Sequence, residues 1–216
     1  MPTGEAGATL KRLEGLFPLY SEELGIDLER AEGLFHWFVA SMLFGARIGE
    51  GIAARAYTEL ESVSSSPEAL LEAGWGRLVE LLDSGGYARY DFSTATKLLD
   101  IAARLVADYG SLEGLRERAA SEAELERILQ SLKGIGPATT QIFLRELRGV
   151  WDIEVPVSEP ARAAGRRLGL DLEELGGEEL ARAETALVKL HLRFCKKRKC
   201  RLCPMEGSCK GQIREV

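Results

Sequence analysis

Apolar side chains recur at three- and four-residue intervals along most of this chain, and no segment sustains strict apolar–polar alternation. Leu34, Phe35, Phe38, Val39, Met42 and Leu43 form one strongly apolar helical stripe. The same spacing predicts helices over residues 52–60, 67–71, 78–82, 95–105, 122–132 and 138–147. Clusters of Gly and Ser punctuate them, at Ser64-Ser65-Ser66-Pro67, Ser84-Gly85-Gly86 and Gly110-Ser111. Asp91, Ser93 and Ser121 are candidate N-caps. An irregular stretch over 151–157 precedes two further helices, 159–168 and 177–194. With no strand pattern, the expected fold class is all-α.

Composition narrows the class. The chain has 216 residues, of which 45% are hydrophobic, enough to fill a core and to exclude a disordered or fibrous protein. No apolar run approaches the roughly 18 residues that cross a bilayer. The first residues lack the charged-then-apolar pattern of a secretory signal. The expectation is a soluble, monomeric, cytoplasmic protein without a membrane partner, associated with the nucleoid if the source is prokaryotic. The net charge of −6 conceals a division: residues 1–130 carry 12 Lys and Arg against 22 Asp and Glu, residues 131–216 carry 16 against 12. Within 193–201, six of nine residues are basic and none is acidic, which points to one face that meets an anion.

Two local patterns carry chemistry. Residues 121–147 read as an amphipathic helix, a very short turn at Gly134-Ile135-Gly136, and a second amphipathic helix opened by Pro137. The glycines permit a tight turn and a close approach of backbone to ligand. Exposed amides at the following helix N-terminus make a phosphate site, to which Lys133 adds a charge. Gly-x-Gly alone also suits an ordinary αα-hairpin. The second pattern is Cys195, Cys200, Cys203 and Cys209, in the spacing C-x4-C-x2-C-x5-C within the last 22 residues. Such confinement describes a local metal centre, not a disulfide framework. Spacing leaves tetrahedral zinc and an iron–sulfur cluster both open, although a plant-type two-iron centre would place its fourth cysteine far away.

The run Leu132-Lys133-Gly134-Ile135-Gly136-Pro137, followed by Thr139 and an apolar helix, resembles the helix-hairpin-helix of DNA glycosylases of the endonuclease III superfamily. His191 and Arg193 before Cys195 are similar to the entry of that family's 4Fe–4S loop. The resemblance extends from Phe35 to Cys209. It implies two helical lobes with duplex DNA across the cleft. One lobe is 30–149 with the hairpin at 121–147; the other is 1–29 plus 150–216 with the cluster loop at 195–209. It also implies that the hairpin (Lys133, Gly134, Ile135, Gly136, Thr139) holds the phosphate backbone, with Ile135 packed between the helices. The basic loop Lys196, Lys197, Arg198, Lys199 would touch phosphates as well. That loop has four residues where the family usually has six. The four cysteines would ligate a 4Fe–4S cluster, with zinc the alternative, and His191 would pack at its helix end without ligating.

The catalytic positions depart from the family. Where bifunctional members carry a lysine stands Ala138, which cannot form a Schiff base with an abasic sugar. Where the family has an aspartate stands Ser158, leaving Glu159, and then Glu154 and Asp152, as candidate replacements. Arg47 lies where relatives place a glutamine that fills the gap left by a flipped base, and Tyr87 and Tyr90 are candidates to line the base pocket. The implied activity is base excision repair by a monofunctional DNA N-glycosylase, a hydrolase that flips a damaged or mismatched base and lacks abasic-site lyase activity. The alternative is a non-catalytic protein of the same fold that binds lesion-containing or abasic duplex DNA.

Overall fold

The computed structural model describes residues 4–211. Along the chain these form α1 (Glu5–Leu16), α2 (Tyr20–Glu23), α3 (Ala31–Phe44), α4 (Glu50–Leu60), α5 (Pro67–Ser84), α6 (Asp91–Arg104), α7 (Leu112–Arg118), α8 (Glu122–Ser131), α9 (Pro137–Glu146), α10 (Arg148–Trp151), α11 (Glu159–Leu168) and α12 (Gly177–Leu190). No strand occurs among the described residues, so the chain is all-α, and no described helix is long and apolar enough to cross a membrane.

The two helices expected at 67–71 and 78–82 are segments of α5, which is broken at Gly74, where φ is 72°. Three serines open helices as the physics of orphan amides requires. Ser66, Ser111 and Ser121 accept the amides of Ala69, Gly114 and Glu124. Asp91 and Ser93 do not cap α6. Tyr90 holds the cap position; Asp91 is the first helical residue, and the Ser93 hydroxyl turns back to donate to the Tyr90 carbonyl. Trp151 closes α10, so the irregular segment is 152–157, and α12 passes into a wide turn over His191–Cys195.

Two compact units divide the described residues: Leu24–Phe143, and the segments up to Glu23 and from Leu144 onward. The division thus falls near residues 24 and 143, where the sequence suggested 30 and 149. In the Leu24–Phe143 unit, α3 is buried on nearly every side. The Trp37 indole donates to the Phe143 carbonyl at 3.0 Å, and Phe38 meets the Phe143 ring edge-to-face at 5.2 Å between centroids. Where α3 ends, Gly45 lies so close to α9 that a Cβ there would fall 2.2 Å from the Thr139 hydroxyl. This approach fixes the hairpin helix against α3.

In the other unit, Leu10, Leu13 and Phe17 of the N-terminal segment pack with Ala164 and Leu168 of α11, Leu187 of α12 and Met205. Full burial of each large apolar side chain contributes about 1.5–3 kcal/mol. Phe194, Cys195, Cys203 and Cys209 lie against the same cluster, so the cysteine segment is built onto the core.

Candidate functional site

The hairpin begins where α8 ends at Ser131. The Ile135 amide closes a turn onto the Leu132 carbonyl at 3.1 Å, with Gly134 at φ 89°, a conformation open to glycine and costly for other residues. Ile135 itself is buried, and α9 starts at Pro137. The first-turn amides of α9 have no intrahelical acceptor, and Gly134, Pro137 and Ala138 stand at the surface, so the backbone of this turn is open to an anion. Two expected contributors are placed differently. Thr139 is buried against Gly45, and the Lys133 ammonium is bonded to Asp100 at 2.5 Å.

Arg47 lies exposed just beyond α3, and with Tyr87, Tyr90, Gly134 and Thr139 it borders a cavity of about 280 Å³. Tyr87 is only 1% exposed, its hydroxyl bonded to Thr94; burial pushes the phenol above the usual tyrosine range. It is a core residue and offers no free ring face, whereas Tyr90 is half-buried beneath the Arg89 guanidinium.

The basic segment is built differently from the hairpin. Lys196, Lys197, Arg198 and Lys199 form an exposed turn, with Arg198 in the left-handed region at φ 54°. The amides of Lys196 and Lys199 bond back to the carbonyls of His191 and Phe194. No described carboxylate pairs with any of the four. Anchors on either side hold the segment. Phe194 meets Phe17 edge-to-face at 6.4 Å, Arg12 donates to the Pro204 carbonyl at 2.8 Å, and the Lys210 amide donates to the Arg167 carbonyl at 2.8 Å.

The four thiols border one small cavity, together with Arg167, Phe194 and Glu206. Burial pushes the Cys195 thiol up, opposed by the Arg167 guanidinium that bonds to it, and burial raises Cys203 likewise. Four thiols around one space are the donor set of a metal centre, either tetrahedral zinc or an iron–sulfur cluster. His191 keeps a buried Nδ1 without a hydrogen-bond partner, and burial with Arg167 and Lys196 nearby holds its pKa down.

At the N-terminus of α11 the candidate carboxylates separate. Ser158 occupies the cap position, but its hydroxyl bonds to nothing and is buried. Its amide donates to Glu184 Oε1 at 2.8 Å. Glu159 is 68% exposed and paired with Arg166 at 2.8 Å. Asp152 and Glu154 are exposed and border a larger cavity, about 560 Å³, whose wall also includes Arg148, Arg162 and Arg166.

Sequence reasoning missed the buried polar residues that set this segment. Arg148 reaches the carbonyls of Arg145 and Val155 and pairs with Glu184 at 2.6 Å. Burial holds its guanidinium below the usual arginine range while Glu184 opposes the shift. The Glu146 carboxylate accepts the amides of Tyr20 and Ser21 and the Thr185 hydroxyl. Lys189 donates to the Pro18 carbonyl and pairs with Glu23. The available signal was weak: charged residues at the apolar positions of α12, Glu184 and Lys189, in a helix otherwise patterned for burial.

No protein-family model matches the chain, and no curated protein matches it. Among solved structures, one of an endonuclease III trapped with DNA as a covalent intermediate, an estranged-adenine complex, is similar over 97% of this chain and 97% of that one. The identity is 17% and the TM-score 0.57. That likeness establishes the fold: the chain shares the all-α architecture of that endonuclease III over 97% of its length.

Proposed function

We propose that this chain binds lesion-containing duplex DNA through its hairpin and basic loop and removes a damaged or mismatched base as a monofunctional N-glycosylase. The observation that carries the reading is the open hairpin turn, with Gly134 at positive φ and the free first-turn amides of α9, in a chain whose fold is similar over 97% of its length to an endonuclease III trapped with DNA. Backbone amides at a helix start hold a phosphate without reading sequence. The exposed residues 196–199 add four cations free of described carboxylate partners.

The chemistry follows from what stands at two positions. Ala138 is exposed on the first turn of α9 and has no amine, so a covalent imine with the sugar is not available there. The remaining route is hydrolysis, in which a carboxylate stabilises positive charge on the sugar and takes a proton from water. Glu159, Glu154 and Asp152 are the residues for this role. Cys195, Cys200, Cys203 and Cys209 are the residues to hold a 4Fe–4S cluster, which when bound supplies structural cross-linking of the 195–209 segment.

A second reading, binding without cleavage, is favoured by one observation: the cap position of α11 holds buried Ser158, and Glu159 beside it is directed to Arg166. One assay separates the two. Cluster-loaded protein is incubated with duplexes bearing uracil, oxidised pyrimidine, alkylated purine, a mismatch or an abasic site, and the products are resolved with and without hot alkali. Breaks that need alkali support the glycosylase and identify its lesion. Breaks without alkali refute the reading of Ala138. Tight lesion binding with no breaks establishes the second reading.

A further inference from the structure

The cavity beside the hairpin differs from the other principal cavities in its charge. Its wall carries two cations, Arg47 and Lys97, and no carboxylate, although the chain as a whole is acidic. The cavities around Arg148, Glu14, Cys200 and His36 each include at least one acidic side chain. Neither Arg47 nor Lys97 is ion-paired with a described residue.

Lys97 reaches this position because Gly134 has no side chain. Its stem lies along the turn so closely that a Cβ at Gly134 would fall 2.6 Å from its Cδ. Lys133, the lysine adjacent in sequence to the glycines, is bonded instead to Asp100, one turn along α6 from Lys97. The exposed Lys133–Asp100 pair is weak, and a phosphate could draw the ammonium away. The carboxylate would nevertheless remain beside it, so the two together add no net charge to the hairpin.

We propose that this cavity is an anion subsite taking a DNA backbone phosphate next to the one on the hairpin amides, and that Lys97, with Arg47, supplies its positive charge. Lys133 is electrostatically silent there. The inference rests on the DNA-binding reading and assigns the cation that serves it. Each phosphate neutralised by a lysine releases counterions and contributes about 0.9 to the slope of log affinity against log salt concentration.

The test is the salt dependence of duplex binding by the full chain, followed by fluorescence anisotropy between 50 and 200 mM salt (roughly the range over which such slopes resolve). Lys97→Ala should lower the slope by about 0.9, and so weaken binding about threefold less steeply across that range. Lys97→Arg should restore it. Removing the neutral pair, Asp100→Ala with Lys133→Ala, should leave the slope unchanged, whereas Asp100→Ala alone should free Lys133 and raise it. All three side chains lie at or near the surface, and circular dichroism checks that the variants fold. A wild-type slope in Lys97→Ala, or a loss on removing the neutral pair, overturns the assignment while leaving DNA binding intact. Salt-insensitive binding by the unaltered chain overturns the DNA-binding reading and this inference with it.

Discussion

Replacing Glu184 by Gln tests one buried ion pair. Glu184 is fully buried and its partner Arg148 is 1% exposed, so neither charge is compensated by water. The guanidinium also holds the carbonyls of Arg145 and Val155, and Glu184 Oε1 holds the amide of Ser158. Glutamine keeps an oxygen for the Ser158 amide, removes the negative charge, and sets an NH2 donor where Oε2 paired with Arg148. Arg148 is then a buried cation without a counter-charge, a change that costs about 3–5 kcal/mol. For a chain of this length, where each kcal/mol moves Tm by about 2–4 °C, the expected fall is about 6–20 °C.

Urea denaturation and differential scanning calorimetry measure the loss, and hydrogen exchange at the Ser158 amide locates it. In the double variant Arg148→Met with Glu184→Leu the desolvation cost disappears, which by itself is neutral or stabilising. Two carbonyls and the Ser158 amide then lose their partners, at about 1–3 kcal/mol for each group left unsatisfied, so the double variant should remain below wild type. A loss under about 1 kcal/mol in Glu184→Gln would refute the argument, because it would mean that Arg148 is either hydrated or neutral in the folded chain.

Three further outcomes follow from the same geometry. Gly134→Ala places a Cβ in the left-handed region and against Lys97, and should cost about 1–3 kcal/mol in urea denaturation; wild-type stability would mean that the turn relaxes freely. Glu14 has a buried Oε1 without a partner, and desolvation raises its pKa in the folded state. Between the unfolded and folded values the native chain binds more protons than the unfolded one, so this residue's contribution makes stability fall as pH rises through that window. Glu14→Gln should remove that downward slope, and an unchanged pH profile of unfolding would count against it. Cys203→Ser should abolish iron incorporation and the visible absorption of the purified protein and make residues 195–209 sensitive to limited proteolysis; retention of both iron and protection would remove Cys203 from the ligand set.

What the sequence revealed depended on distance along the chain. The hairpin turn is legible because only glycine tolerates the φ of 89° at position 134, so the residue type itself carries the geometry. Ser121 is legible as a cap because it is followed three residues later by Glu124, whose amide it accepts. Asp91 and Ser93 carry the same residue chemistry but are followed three residues later by Thr94 and Thr96 rather than a Glu, and Tyr90 holds the cap position. Pairings between distant residues left no trace at all. Glu146 meets the amides of Tyr20 and Ser21 across more than a hundred residues, and Lys133 meets Asp100 across 33. The four cysteines are close in sequence and therefore readable as one centre, but their placement beside Arg167 and Phe194 comes from distant packing.

The carboxylates near Ser158 illustrate why pairing alone does not decide function. Glu159 and Glu184 each bond to an arginine, at 2.8 and 2.6 Å. The first pair is two-thirds exposed on both sides, and such pairs contribute about 0–1 kcal/mol, so Glu159 can leave Arg166 at almost no cost. The second is closed off from water and cannot open without leaving two buried charges. Glu184 is therefore fixed as the support of the Ser158 amide, while Glu159 can change partner, as the proposed hydrolytic role would require. Glu159→Gln should accordingly cost under about 0.5 kcal/mol and move Tm by no more than about 1–2 °C, as surface substitutions do. The same substitution should abolish base release if this carboxylate supports hydrolysis. Full activity in Glu159→Gln would pass the role to Glu154 or Asp152, and activity lost together with stability would show that Glu159 holds the start of α11 in place.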